Sequence, residues 1–123
     1  MKKILKYVSF VLVLSSIAVT VNAAEFINGL EDIPIMNGLE QQHSDAIVFG
    51  NEESRLVESI LVGKNINFAN IEKFYKDTLP QMGWIFQGKD KSTLTFYRDR
   101  ESLEITRIIK KPLTVRVTVK SKN

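Results

Sequence analysis

Residues 67–84, NFANIEKFYKDTLPQMGW, predict the single helix of the chain and the point where it ends. Asn67 suits the N-cap position, because its side-chain oxygen can accept a free backbone N–H of the first turn. Pro80 disfavours helical geometry at the residue before it, and Gly83 suits the left-handed conformation that closes a helix before Trp84. One stripe of the predicted helix carries Ile71, Phe74, Tyr75, Thr78 and Leu79, and the charged residues that face water are Glu72, Lys73, Lys76 and Asp77. Because each set follows the helical period, the stretch predicts an amphipathic helix that covers one face of a sheet.

Stretches of alternating apolar and polar residues surround the helix and predict strands. The clearest is 113–120, LTVRVTVK, in which every second residue is apolar. Two further strands are predicted before the helix, at 46–50 and 55–63, and three after it, at 84–87, 92–98 and 101–109. The order β-β-α-β-β-β-β predicts an α+β domain over residues 45–123. It is expected to form a single antiparallel β-sheet with one helix packed on one face and the other face open to water.

Residues 24–44 predict an extended N-terminal arm. Ile33-Pro34-Ile35-Met36-Asn37-Gly38-Leu39 combines apolar side chains with a proline and an Asn-Gly turn signal. We expect this arm to lay its apolar side chains on the core of the domain.

The first 23 residues have the parts of a cleavable signal peptide in the right order, including a short signal helix. Lys2, Lys3 and Lys6 precede an uncharged stretch over 7–21, and cleavage is predicted between Ala23 and Ala24. The alternative is a permanent membrane anchor, but a spanning helix needs roughly 20 apolar residues and this stretch has about 15. We therefore expect export to the periplasm or the medium, with no transmembrane segment after cleavage.

The charge balance argues against a nucleic-acid partner. The chain has 17 basic and 14 acidic residues, and three of the basic residues lie in the predicted signal peptide. The mature chain is therefore neutral overall, which is atypical of a polyanion-binding protein. Its charges are nevertheless segregated, because residues 25–77 hold ten carboxylates and four bases, whereas residues 78–123 hold four carboxylates and ten bases.

Five motifs carry a family resemblance. They are Ile33-Pro34-x-Met36-x-Gly38-Leu39, Arg55-Leu56-Val57-Glu58, Phe74-Tyr75-x-x-Thr78-Leu79-Pro80-Gln81-Met82-Gly83-Trp84, Phe96-x-Arg98 and Leu113-Thr114-Val115. Together they resemble a family of small exported proteins of Gram-negative bacteria to which no activity is assigned. The helix exit is also similar to helix-on-sheet modules of some bacterial envelope lipoproteins. The resemblance implies a periplasmic α+β domain and brings no catalytic residues with it.

Two surfaces are candidates for binding. The open face of the predicted sheet carries Tyr97, Thr114, Arg116 and Thr118, although a polar composition is also the default for a face in contact with water. The second surface consists of C-terminal bases that are suited to anionic lipid head groups. The alternative for these bases is to protect a valine-rich edge strand from pairing with other chains. The C-terminal bases of this second surface are Lys110, Lys111, Arg116, Lys120 and Lys122.

No residue pattern in the chain indicates catalysis, so we expect no catalytic residue, metal or cofactor. His43 is the only histidine and lies near Glu40 and Asp45, whereas zinc sites usually need three or four ligands at defined spacing. The chain has neither a Gly-x-Ser-x-Gly elbow nor a glycine-rich phosphate loop. It also has no cysteine, which excludes disulfides, thiol nucleophiles, thiolate metal sites and lipid attachment at an N-terminal cysteine.

The sequence therefore favours a non-enzymatic periplasmic binding or interaction module of the cell envelope. Its expected partner is an envelope protein or an anionic membrane surface. One alternative is a small periplasmic hydrolase or metal-dependent enzyme that uses His43. Another is a lipid or glycan carrier, which would need a sizeable cavity between the helix and the sheet.

Overall fold

The computed structural model describes residues 25–43, 46–51 and 53–122. The predicted signal peptide, with its cleavage site at Ala23 and Ala24, lies outside the described residues. Within them, the elements follow the chain as β1 (Phe26–Ile27), β2 (Leu30–Pro34), β3 (Leu39–Gln41), β4 (Ile47–Gly50), β5 (Ser54–Gly63), α1 (Phe68–Thr78), a 3₁₀ helix (Leu79–Met82), β6 (Ile85–Asp90), β7 (Thr93–Arg98), β8 (Glu101–Ile109) and β9 (Leu113–Lys122).

The main sheet confirms the α+β class and the antiparallel arrangement. Its strands lie in the order β3-β5-β9-β8-β7-β6, and β4 also pairs with β5 beside β3. The longest pairing joins β5 to β9 over ten residue pairs, from Ser54 opposite Lys122 to Gly63 opposite Leu113. Helix α1 connects β5 to β6 at the far edge of the sheet, so it must cross one face of the sheet.

The ends of the helix follow the predicted capping residues. The Asn67 side chain accepts the Asn70 backbone N–H at 2.9 Å, and the Asn70 side chain accepts the Asn67 backbone N–H at 3.1 Å. This reciprocal pair satisfies two donors that a helix start leaves free. At the other end, Gly83 has a φ of 90° and stops the 3₁₀ turn before Trp84, as expected for a residue without a Cβ.

The core lies between the helix and the alternating residues of the sheet. On the sheet side it contains, among others, Leu61, Leu94, Phe96, Leu103, Ile105, Val115 and Val117, and on the helix side Phe68, Ile71, Tyr75 and Leu79. Burying side chains of this size stabilises a fold by about 1.5–3 kcal/mol each. Because the chain has no cysteine, this packing takes the place of disulfides.

The N-terminal arm contains strands that the sequence did not predict. β1 and β2 form a separate two-stranded antiparallel sheet, and β3 joins the main sheet through β5. Ile27 and Ile33 are fully buried, and the Tyr75 hydroxyl of the helix donates to the Pro34 carbonyl at 2.7 Å. Burial raises the pKa of Tyr75, and a hydrogen bond from the Met36 backbone offsets this only in part, so the hydroxyl keeps its proton. The arm is therefore integrated into the core.

Arg98 fastens this arm to the helix exit. Its guanidinium pairs with Asp32 of β2 and with Glu101, lies 4.2 Å from the centre of the Trp84 ring, and donates to the Met82 carbonyl at 3.1 Å. Burial by itself lowers the pKa of Arg98, but the hydrogen bonds and charges of Glu101 and Asp32 outweigh burial and raise it. One side chain thus connects β2, the helix exit and β7.

The turn between β6 and β7 differs from its predicted position. The Gly88-Lys89-Asp90-Lys91 stretch predicts a turn, yet the strand continues through Gly88 to Asp90 with an irregularity between Phe86 and Gly88. The chain reverses at Lys91 and Ser92 instead, with Lys91 at a φ of 55°. A β-bulge uses the freedom of glycine without ending the strand, which explains the difference.

A buried hydroxyl in the core supplies a test of the packing. Ser59 of β5 is buried, and its Oγ has no hydrogen-bond partner among the described residues. Because an unpaired buried hydroxyl is costly, Ser59→Ala is expected to raise the free energy of unfolding by about 0.5–1 kcal/mol in a urea titration. The control is Thr114→Val, because the Thr114 hydroxyl donates to the Pro112 carbonyl at 3.0 Å and its removal should destabilise. A loss of stability in Ser59→Ala would contradict the expectation.

Candidate functional site

The residues predicted to form an open-face platform share one face but differ in accessibility. Thr114 and Thr118 of β9 are buried, Arg116 is partly exposed and Tyr97 of β7 is half exposed. Tyr97 lies opposite Ser102, whereas Arg116 lies opposite Thr106, so the strand register separates them along the sheet. The structure therefore leaves Tyr97 and Arg116 accessible on this face, in different cross-strand rows, and hides the threonine hydroxyls.

His43 lies in an exposed bend just after β3. Its predicted neighbour Asp45 lies outside the described residues. Among the residues that the structure does describe, no three His, Asp or Glu side chains gather into a group that could hold a metal ion. Likewise, no helix in that part of the chain is long and apolar enough to cross a membrane.

The space between the helix and the sheet, where a carrier would need its cavity, is occupied by side chains. Ile71, Tyr75 and Leu79 of the helical segment are fully buried against the sheet, as are Leu94 and Phe96 of β7. The grooves of the described surface are lined instead by loops and strand ends.

A groove of about 470 Å³ lies at the end of the sheet where β5 ends and α1 begins. We call it the basic groove, and its lining consists of Lys64, Asn65, Ile66, Asn67, Phe68, Arg107, Lys110, Lys111 and Leu113. Two loops form it, because the β5–α1 connection and the turn between β8 and β9 lie at the same end of the antiparallel sheet. The β6–β7 turn is also close, since the Arg107 backbone N–H donates to the Ser92 carbonyl at 2.9 Å.

Four cations line the basic groove without neutralising partners. Among the described residues, Lys64, Arg107, Lys110 and Lys111 have no ion pair within 4 Å. Some cations outside the lining do pair: Lys89, which lies 5.6 Å from the centre of the Phe68 ring, is 3.2 Å from Glu72, and Lys120 is 3.3 Å from Glu104. Other cations, Arg55, Lys91, Arg100 and Arg116, also have no ion pair among the described residues. Like charges held close together raise the local potential and attract anions.

Apolar side chains form part of the same groove. Phe68, Ile66 and Leu113 contribute to its lining, and the Arg107 guanidinium lies 5.8 Å from the centre of the Phe68 ring. The ring face attracts the cation, and the apolar surroundings reduce the screening of charges by water. The start of α1 adds partial positive charge of the same sign. The groove can therefore hold an anionic group that has an apolar part beside it.

The sequence identified half of the cations in this groove. Lys110 and Lys111 belong to the predicted basic surface, whereas Lys64 and Arg107 were not singled out, because neither belongs to a local charge cluster. The other predicted bases lie elsewhere: Arg116 is on the open face and Lys120 pairs with Glu104. The side chain of Lys122 is outside the described part. The Ile108-Ile109-Lys110-Lys111 run, which interrupts strand alternation, is the signal that marks this end of the sheet.

Comparisons of the chain with protein-family models, with curated proteins and with solved structures found no match.

Proposed function

We propose that the chain is an exported, non-enzymatic binding module of the cell envelope that holds an anionic partner at its basic groove. The observation that carries this proposal is the set of four cations around a partly apolar groove, none of which has an ion-pair partner within the part of the chain that the structure describes. The export and the periplasmic location rest on the sequence of residues 1–23 and on the family resemblance. The absence of catalysis rests on the lack of any catalytic motif in the sequence.

The chemistry of the groove favours binding over reaction. Lysine and arginine donate hydrogen bonds and positive charge to phosphate or carboxylate oxygens, and such charge-assisted bonds are stronger than neutral ones. The described lining contains no histidine, carboxylate or hydroxyl group that would act as a base or nucleophile. The enzyme alternative would depend on His43, and the carrier alternative on the space filled by Ile71 and Tyr75.

Site-specific photo-crosslinking in living cells tests this proposal. A photoreactive phenylalanine derivative replaces Asn65 in the basic groove or Arg100, an exposed residue in the turn between β7 and β8 at the other end of the sheet. The chain is then produced in a Gram-negative host and irradiated. We expect an adduct with an envelope component from position 65 and much less from position 100.

A charge-reversed variant provides the matched control for this experiment. Lys64→Glu combined with Lys111→Glu should abolish the adduct at position 65 by repelling an anionic partner. Adducts that form only at position 100, or that survive the charge reversal unchanged, would contradict the proposed role of the basic groove. A His43→Ala variant that retains full function in the cell would remove the enzyme alternative.

A further inference from the structure

The turn between β8 and β9 combines exposed apolar and basic side chains in five residues. We call residues 108–112 the tip. Ile108 is 43% exposed and Ile109 is 50% exposed, and Lys110, Lys111 and Pro112 are exposed beside them. The register of β8 against β9 shifts between Arg107 and Ile109, and this β-bulge interrupts the alternation that would otherwise bury every second side chain. The tip therefore presents two large apolar side chains to solvent.

The charge around the tip has one dominant sign. The adjoining loops and strand ends bring Lys64, Lys91 and Arg107 to the same end of the sheet, and none of the three has an ion pair among the described residues. Lys89 also lies there but pairs with Glu72, and Glu40 and Asp90 are carboxylates of the same end. At the opposite end, Arg98 is neutralised by both Asp32 and Glu101, whereas Arg55 and Arg100 have no ion pair among the described residues. Basic residues near a surface of anionic lipids each add to the attraction, and their effects accumulate.

We infer that the tip docks on an anionic phospholipid bilayer. Ile108 and Ile109 enter the boundary between head groups and acyl chains, and the cations of the basic groove contact lipid phosphates. This inference rests on the proposed function and names the partner of the same groove. A bilayer fits better than an acidic protein surface, because such a surface would satisfy the bases but would leave the two isoleucines exposed to water. Interfacial binding by other proteins uses this same pairing of apolar and basic side chains.

Vesicle co-sedimentation of the chain purified from an exporting host tests the inference. We expect binding to phosphatidylglycerol vesicles, little binding to phosphatidylcholine vesicles, and release at high salt because screening weakens the charge attraction. Lys110→Glu combined with Lys111→Glu should weaken binding to phosphatidylglycerol vesicles by at least about tenfold. The control is Arg55→Glu combined with Arg100→Glu, which changes the net charge equally at the other end of the sheet and should have a much smaller effect.

The contribution of the isoleucines is measured separately. Ile108→Ser combined with Ile109→Ser should weaken binding by about tenfold or more without changing the charge. The control is Ile47→Ser combined with Phe49→Ser in β4, because both side chains are 52% exposed and lie in the edge strand away from the tip. Circular dichroism of each variant verifies that the fold is retained.

Two outcomes would overturn the inference. One is equal binding to both kinds of vesicle, and the other is equal loss of binding in the tip and control variants. Failure to bind vesicles, together with a position-65 adduct to an acidic envelope protein, would overturn the bilayer as partner and leave the proposed function standing. Failure of both experiments would overturn both proposals.

Discussion

Trp84→Ala is expected to lower the free energy of unfolding by about 4 kcal/mol, the largest loss we expect from a single substitution in this chain. The Trp84 side chain is buried at the helix exit, and the Arg98 guanidinium lies over its ring. Truncation would remove a large apolar side chain, leave a cavity and deprive Arg98 of its aromatic contact. Because Trp84 is the only tryptophan, urea unfolding should be followed by circular dichroism instead of fluorescence.

A conservative variant of Trp84 and a variant of an exposed aromatic residue provide the comparisons for this loss. Trp84→Phe keeps an aromatic ring beneath Arg98 and removes an indole N–H that has no partner among the described residues, so it should cost only about 1–2 kcal/mol. Tyr97→Ala removes a half-exposed aromatic side chain and should cost about 1 kcal/mol or less. A loss below about 1 kcal/mol for Trp84→Ala would contradict the packing described here.

Ile33→Ala is expected to cost about 3 kcal/mol, although residue 33 lies in the N-terminal arm. Ile33 of β2 is 0% exposed, and the residues around it in the chain are tied to the domain through Tyr75 and Arg98. The free energy of unfolding falls as it would for any core isoleucine, because the cavity that alanine leaves cannot close completely. The measurement is again urea unfolding, with Ile105→Ala of β8 as the reference for a fully buried isoleucine of the main sheet.

A partly exposed residue of the same arm is the control for this prediction. Ile35→Ala should cost clearly less than Ile33→Ala, because part of that side chain is already in water. If Ile33→Ala and Ile35→Ala both had effects below about 1 kcal/mol, the arm would contribute little to the core, contrary to the structure.

Local sequence signals predicted the helix and the four strands after it. Asn67 and Gly83 act within one turn of the chain, so their capping roles can be recognised without knowledge of the rest of the fold. The alternation in 113–120 likewise records which face of β9 is buried. The strands of the arm escaped prediction because they are short and because β3 is defined by a distant partner, with Glu40 opposite Val62.

The basic groove illustrates the same limit. Lys110 and Lys111 are adjacent in the sequence and were recognised as a basic cluster, but Lys64 precedes them by more than forty residues. Only the antiparallel pairing of β5 with β9, which places Gly63 opposite Leu113, brings the two loops together. The predicted binding residues of the open face show the converse problem, because alternation assigned Thr114 and Thr118 to the correct face but did not indicate that both are buried there.

The ten-residue pairing of β5 with β9 has a consequence for the time course of folding. About fifty residues separate the end of β5 at Gly63 from the start of β9 at Leu113. The ribosome therefore completes β5 well before it synthesises the strand that pairs with it. Contacts between such distant segments form slowly because a long loop must close first. During that delay one edge of β5 lacks its partner, and the exposed apolar side chains of Ile47 and Phe49 lie in β4 on the other edge of β5. The incomplete chain is therefore most prone to aggregation before β9 has been synthesised. A chaperone that binds β4 and β5 during that time would protect it.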